Sequence, residues 1–184
     1  VEVSPQKQVA DFSTNVIFSK KYGIVILSSK GKIYKTLDES KSWSLVSKVM
    51  DEPAQTGFRD LGILPDETIW IGGGAATIEG HWGVIALMNS RSGWESNRLN
   101  GYYFSDVEFV SNNEVIAAGR ISNFGGKDEE PMKGVILYST DRGKNWTTLY
   151  KTQTKELFTA IYRISAKKYL ITSKTNEEII LEGE

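Results

Sequence analysis

Ser139-Thr140-Asp141-Arg142-Gly143-Lys144-Asn145-Trp146 is the stretch that decides the fold of this chain. It reads as a short polar turn. The aspartate can accept nearby backbone N–H groups, the glycine can supply positive φ, and a tryptophan five residues after the aspartate can plug the space between neighbouring sheets. Two weaker copies stand upstream. Thr36-Leu37-Asp38-Glu39-Ser40-Lys41-Ser42-Trp43 keeps the hydroxyl, the aspartate and the tryptophan but has Ser40 where the glycine would stand. Leu87-Met88-Asn89-Ser90-Arg91-Ser92-Gly93-Trp94 keeps only Asn89 and Trp94. Asp38, Asn89 and Asp141 are 51 and then 52 residues apart, the size of a unit of four antiparallel strands repeated along a chain.

Between these turns the apolar residues alternate or form short runs bounded by turn residues, and almost nothing follows a helical period. The class is all-β. The predicted architecture is a single-domain β-propeller of four four-stranded antiparallel modules, at residues 9–50, 57–99, 103–151 and 156–184. Strands are expected at 14–18, 23–28, 32–36 and 43–48 in the first module, at 59–64, 68–71, 84–88 and 94–98 in the second, and at 106–110, 114–118, 134–139 and 146–150 in the third. The fourth supplies 158–164, 169–173 and 178–181 and then stops before an outer strand. Unpaired sheet edges invite association, so Val1-Glu2-Val3-Ser4 is expected to complete the last module, within residues 1–5. A homodimer that completes a larger ring is an alternative, and so is a chain that forms part of a longer propeller.

The Ser139, Asp141, Gly143, Trp146 pattern resembles the Asp-box of the BNR repeat, found in sialidases, in photosystem II assembly factors and in many bacterial surface propellers. The resemblance implies that each turn joins the third and outermost strands of a blade, on the face opposite the binding or catalytic loops. Asp38, Trp43, Asn89, Trp94, Asp141, Gly143 and Trp146 are therefore expected to be structural, with the three tryptophans buried at equivalent positions.

Composition sets outer bounds. The chain has 184 residues, 40% hydrophobic and 24% charged, with a formal net charge of −1, which suits an ordinary soluble globular domain with a real core. A near-neutral balance leaves no electrostatic footprint for nucleic acid and no polybasic stretch for a membrane surface. The absence of cysteine removes thiol chemistry and Cys-ligated zinc, and His81 is the only histidine, so neither a metal nor another cofactor is expected. No apolar run approaches the ~20 residues of a membrane span. The first residue is Val1. An export signal removed ahead of it would place the chain in the periplasm or outside the cell, although the sequence itself names no compartment.

Function is expected where the modules differ. The second-to-third strand link is short in the first module but long in the second, from Gly72 to Gly83, and longer again in the third, from Arg120 to Lys133. Such links share a face with the connections between blades, and loops on a rigid scaffold carry recognition. That face is expected to collect His81, Trp82, Tyr102, Tyr103, Arg120 and Phe124, a set of the aromatic and arginine side chains that dominate binding hot spots. Each has a purely structural alternative: Trp82 can pack down over its module, Tyr102 and Tyr103 can fill space between blades, and His81 can be a solvated loop residue. Gly72-Gly73-Gly74 lacks the Gly-Lys-Ser/Thr of a phosphate loop, and the glycosylation pattern Asn145-Trp146-Thr147 coincides with the turn.

The sialidase branch of the resemblance implies three arginines that clamp a carboxylated sugar. Arg59, Arg120 and Arg163 are the candidates, but the Arg163-Ile164 segment follows the best turn where the family places it before, and it lacks the family's proline. The expected function is a non-catalytic propeller that recognises a macromolecule, a protein in the first instance, through the long-loop face. Glycan binding or sialidase-like hydrolysis is the alternative, and the balance leans away from an enzyme with no catalytic residue assigned.

Overall fold

The computed structural model describes residues 13–28, 31–38, 41–48, 57–77, 80–89, 93–121, 132–175 and 178–182. Fifteen strands fill most of them. The first sheet holds β1 (Ser13–Ser19), β2 (Gly23–Ser28), β3 (Lys32–Thr36) and β4 (Ser44–Lys48). The second holds β5 (Gly57–Ile63), β6 (Ile69–Thr77), β7 (Gly80–Asn89) and β8 (Gly93–Asn100). β9 (Tyr102–Phe109), β10 (Val115–Ile121), β11 (Lys133–Ser139) and β12 (Thr147–Lys151) make the third, and β13 (Phe158–Ser165), β14 (Lys168–Ser173) and β15 (Glu178–Glu182) the fourth. Within each sheet the strands pair antiparallel in chain order. Three sheets thus have the expected four strands, and the fourth has three among the described residues. The segment expected to complete it, residues 1–5, lies outside them.

Hydrophobic alternation explains the stacking. Val25, Leu27 and Ile33 of the first sheet meet Phe58, Ile69 and Ile71 of the second. The opposite face of the second sheet, with Trp70, Ile85 and Leu87, meets Phe104, Val107 and Phe109 of the third. Ile116, Ala118 and Ile136 then pack on Phe158, Tyr169 and Ile171 of the fourth. The sheets follow one another around a common axis, with β1, β5, β9 and β13 innermost, and no comparable packing joins the fourth sheet back to the first among the described residues.

Each innermost strand carries one extra residue near its start. The register shifts after Ser13, Phe58, Phe104 and Phe158, leaving Thr14, Arg59, Ser105 and Thr159 unpaired with the second strand. Such bulges bend a strand and re-aim the next side chain. The re-aimed residues are Asn15, Asp60, Asp106 and Ala160.

The three polar turns do join third and fourth strands, and their quality follows their sequence. Asp141 Oδ1 accepts the backbone N–H of Asn145 at 2.8 Å and of Lys144 at 3.1 Å, and the Ser139 hydroxyl at 2.7 Å. Gly143 has φ +82° and Arg142, unusually for a side-chain-bearing residue, φ 64°. Asp38 accepts Ser42 N–H at 2.9 Å and the Thr36 hydroxyl at 2.6 Å. These donors hold both carboxyl groups down at about 2, the Ser42 side chain leading at Asp38 and the Asn145 backbone at Asp141. The second turn is different: β7 runs on through Asn89, which pairs directly with Gly93. The tryptophans are half-buried where full burial is expected, because each sits at the outer strand, where the wedge between sheets opens. Trp94 bridges sheets by donating from Nε1 to Ser47 Oγ at 2.8 Å, and Trp146 packs on Phe104 with ring centroids 5.2 Å apart.

Candidate functional site

The largest difference from the sequence reading is at Gly72–Gly83. Most of this stretch is not a loop but the far half of the β6–β7 hairpin, with Gly74 opposite Gly83, Ala75 opposite Trp82 and Ala76 opposite His81. The glycines serve close packing here. A Cβ on Gly83 would stand 2.6 Å from the Phe104 ring, and one on Gly74 would stand 2.8 Å from the Trp82 carbonyl oxygen. Sheet two can therefore press against β9 only where side chains are missing.

That hairpin takes His81 and Trp82 inside. Trp82 is 9% exposed and belongs to the core between the first two sheets, with the Arg98 guanidinium 5.5 Å from its ring. His81 is 6% exposed. Burial first, and then the nearby Arg120 charge, lower its pKa, so the imidazole is neutral at physiological pH. Phe124 lies outside the described residues.

Tyr102, Tyr103 and Arg120 are half-buried and come together, because Arg120 on β10 pairs with Tyr103 on β9 and Ile121 with Tyr102. The Arg120 guanidinium lies 4.6 Å from the centre of the Tyr103 ring, and the bulge at Arg59 brings a second guanidinium to 5.6 Å from the same ring. Two cations on one aromatic ring are held by the ring's quadrupole. The buried Arg120 Nε has no hydrogen-bond partner among the described residues. Arg59, named in the sequence only beside Arg120 and Arg163 as a possible carboxylate clamp, thus joins the Tyr103 and Arg120 cluster, and the bulge that aims it has no signature in the sequence.

Arg163 is elsewhere. It sits 3.9 Å from the Glu108 carboxylate and 5.8 Å from the Tyr169 ring, and five strand residues, roughly 16 Å, separate Tyr103 from Glu108 along β9. Arg59 and Arg120 thus share one end of the inner strands and Arg163 occupies the other. Arg163 and Glu108 line a cavity of about 510 Å³ with Phe18, Lys20, Trp70 and Phe109.

Between the two ends lies a polar cluster made by the re-aimed residues. Asn15 Nδ2 donates to the Arg59 carbonyl at 3.4 Å. Asp60 is hydrogen-bonded to Asp106, and burial together with the Asp106 charge pushes the Asp60 carboxyl up to about 8. Asp106 accepts the backbone N–H of Val107 at 2.8 Å and of Ile161 at 2.6 Å. With Asp106 occupied by backbone donors from β9 and β13, the pair clamps three inner strands. Among the described residues there is no group of three or more His, Cys, Asp or Glu side chains placed to hold a metal, and no helix long and apolar enough to cross a membrane.

With this geometry in place, the chain can be set beside known proteins. No family model matches it and no curated protein does. A solved structure described as YCF48 bound to D1 peptide superposes with a TM-score of 0.64 over 95% of this chain, at 18% sequence identity. This is a β-propeller fold. The chain spans 51% of the length of that structure's chain. A second structure, YCF48 from Cyanidioschyzon merolae, aligns over 98% of this chain and 71% of its own with a TM-score of 0.44 and 12% identity.

Proposed function

We propose that this chain is a non-catalytic propeller module that recognises a segment of a partner protein at the end of the inner strands marked by Tyr103. The observation that carries the reading is the Tyr103 ring with the Arg59 and Arg120 guanidinium groups 5.6 and 4.6 Å from its centre. An aromatic platform flanked by arginines suits a peptide that presents a carboxylate beside an apolar group, since a guanidinium binds carboxylate in a bidentate fork. Asp106 is occupied by the backbone N–H groups of Val107 and Ile161, and burial pushes the neighbouring Asp60 carboxyl up, so among the described residues neither carboxyl group is committed to an ion pair with the two arginines. Tyr102 and Tyr103 supply contact area, while His81 and Trp82 support the face from the hairpin beneath it. The resemblance of the polar turns to Asp-boxes fits the same scheme, with the turns as structural elements on the opposite face. That the propeller fold can host peptide recognition is supported by the solved YCF48 structure, whose description names a bound D1 peptide.

The test is a fluorescence-anisotropy screen of labelled peptides bearing acidic side chains or a free C-terminal carboxylate, each against its amidated or neutral counterpart. Tyr103→Ala and Arg120→Gln are each expected to weaken the best binder by about tenfold or more, or ~1.4 kcal/mol. Arg163→Lys is expected to leave binding unchanged. Hydrolysis of a fluorogenic sialoside that disappears in Arg163→Lys would overturn the reading in favour of a glycosidase, and equal affinity for neutral and acidic peptides would remove the role of the arginines.

A further inference from the structure

The end of the inner strands away from Tyr103 holds the cavity of about 510 Å³, a size that takes a small molecule. Its charged lining is balanced. Lys20 and Arg163 bring two cationic side chains, and Glu67 and Glu108 bring two carboxylates. The apolar part of the lining includes Trp70 and Phe109, whose rings form a tilted pair with centroids 5.0 Å apart. Both rings are buried, so they form a fixed wall.

Backbone geometry places the central pair of charges. The Ile161 N–H on β13 donates to Asp106 on β9 at 2.6 Å, and two residues further along each strand Arg163 stands across from Glu108. The guanidinium Nη1 and the carboxylate Oε1 are 3.9 Å apart, beyond the ~3.2 Å reach of a hydrogen bond. Both side chains remain partly exposed, Arg163 at 42% and Glu108 at 33%. Burial pushes the Glu108 carboxyl up while the Arg163 charge pulls it down, so a further cation beside Glu108 would favour its ionised form. Glu67 is held under strain. It has φ 66° in the Pro65-Asp66-Glu67-Thr68 turn, a conformation that glycine adopts at no steric cost. The turn therefore keeps a carboxylate at the cavity where a glycine would close it with less strain.

We propose that this cavity binds a free α-amino acid with a large apolar side chain. The ligand carboxylate meets the Arg163 guanidinium, which takes carboxylates in a bidentate fork, and the ligand ammonium meets Glu108. An α-amino acid carries both charges on one carbon. It can therefore bridge a pair held 3.9 Å apart and give each member the hydrogen bonds that their separation denies them with each other. The ligand side chain lies on the Trp70 and Phe109 wall. Lys20 and Glu67 add one further charge of each sign, which again suits a ligand without net charge. A carboxylated sugar would use Arg163 but bring no ammonium to Glu108, and a simple cation would leave Arg163 facing its own sign. The site is independent of what the Tyr103 end recognises.

Nuclear magnetic resonance titrations of the isotope-labelled chain at neutral pH test this with four probes: L-phenylalanine, phenylpropionate, which lacks the ammonium, phenylalanine amide, which lacks the carboxylate, and glycine, which lacks the side chain. L-phenylalanine is expected to move the Gly62 and Ser111 amide signals and the Trp70 indole signal saturably, with a dissociation constant of about 1 mM or tighter. Each of the other three is expected to bind about tenfold more weakly or worse. Glu108→Gln should weaken L-phenylalanine by about tenfold and leave phenylpropionate no weaker than before; Arg163→Gln should weaken L-phenylalanine likewise and leave phenylalanine amide no weaker. Both variants are first checked for an unchanged melting temperature, and should either fail to fold, the four probes on the parent chain decide the question alone. The proposal is overturned by the absence of saturable shifts with L-phenylalanine, by equal affinity for phenylpropionate (an anion site only), for phenylalanine amide (a cation site only) or for glycine (no side-chain pocket), or by tighter binding of sialic acid.

Discussion

Asp60 on β5 lies against Asp106 on β9, and burial together with the Asp106 charge pushes the Asp60 carboxyl up to about 8. Asp106 reaches β13 through the Ile161 N–H at 2.6 Å, while Asp60 keeps the proton because burial and the facing carboxylate both penalise its charged form. The arrangement depends on the bulges at Arg59 and Ser105, which turn the two carboxyl groups toward each other. The same bulge that forms the clamp also delivers Arg59 to Tyr103, so the polar cluster and the candidate binding end are products of one local irregularity.

The first prediction is a stability that falls as pH rises. Asp60 is raised to about 8 in the folded chain from an unfolded value near 3.8. Its contribution is complete below about pH 4, where both states hold the proton, and is lost through the window up to about 8, where only the native state still holds it. The steepest slope for one proton is roughly 1.4 kcal/mol per pH unit. Urea midpoints are expected to drop between pH 5 and pH 8, and Asp60→Asn should flatten that drop. An unchanged slope in the variant would place the titration elsewhere.

At the acid end the sign reverses. Asp38 and Asp141 are held down at about 2 by hydroxyl and backbone donors, so the stability they add is present above about pH 4 and lost as pH falls toward 2. Asp141→Asn should remove part of that acid-limb loss as well as lowering the plateau, read as the change in midpoint between pH 5 and pH 2.5.

Replacing Gly119 by alanine should be costly for a reason visible only in three dimensions. A Cβ there would stand 1.9 Å from the Tyr103 carbonyl oxygen, so β9 must shift where Tyr103 meets Arg120. A destabilisation of about 1–3 kcal/mol is expected, with a parallel loss of peptide affinity. Chemical denaturation and anisotropy on the same variant would check both, and full retention of each would show that β9 moves freely.

Trp82 and Tyr103 should separate cleanly. Trp82→Ala empties the core between the first two sheets and is expected to lower unfolding free energy by about 3–5 kcal/mol, detected as a lower denaturation midpoint. Tyr103→Ala should act mainly on binding. A Trp82→Ala protein as stable as its parent would mean that the β6–β7 hairpin is not anchored as described.

Trp146→Ala tests the outer wedge. The ring is half-buried and packs on Phe104 in a tilted pair with centroids 5.2 Å apart, so a loss of about 2–3 kcal/mol is expected, below the range for a fully enclosed aromatic. Thermal melts of this variant beside Trp43→Ala would show whether the sharper turn around Asp141 carries more of the fold than the one around Asp38.

Local chemistry wrote the repeat directly into the sequence. The Asp38, Asn89 and Asp141 turns, the alternation of apolar residues and the lack of helical period were sufficient to place all fifteen strands, since turn residues and side-chain period act within a few residues of themselves. Legibility declined with the quality of the motif: the Asn89 turn lacks the hydroxyl and the aspartate, and there the strand simply runs on. Among site residues, the meeting of Tyr102, Tyr103 and Arg120 was readable because they flank two expected strands. Tertiary structure alone decided the rest. Gly72, Gly74 and Gly83 look like loop formers in a sequence, and only the proximity of Val107, Phe104 and the Trp82 backbone makes them sheet residues that draw His81 and Trp82 inside. The bulges at Arg59 and Ser105 likewise have no residue code. They arise because inner strands crowd around an axis, and they alone bring Asp60 to Asp106 and Arg59 to Tyr103, contacts between residues more than forty positions apart in the chain.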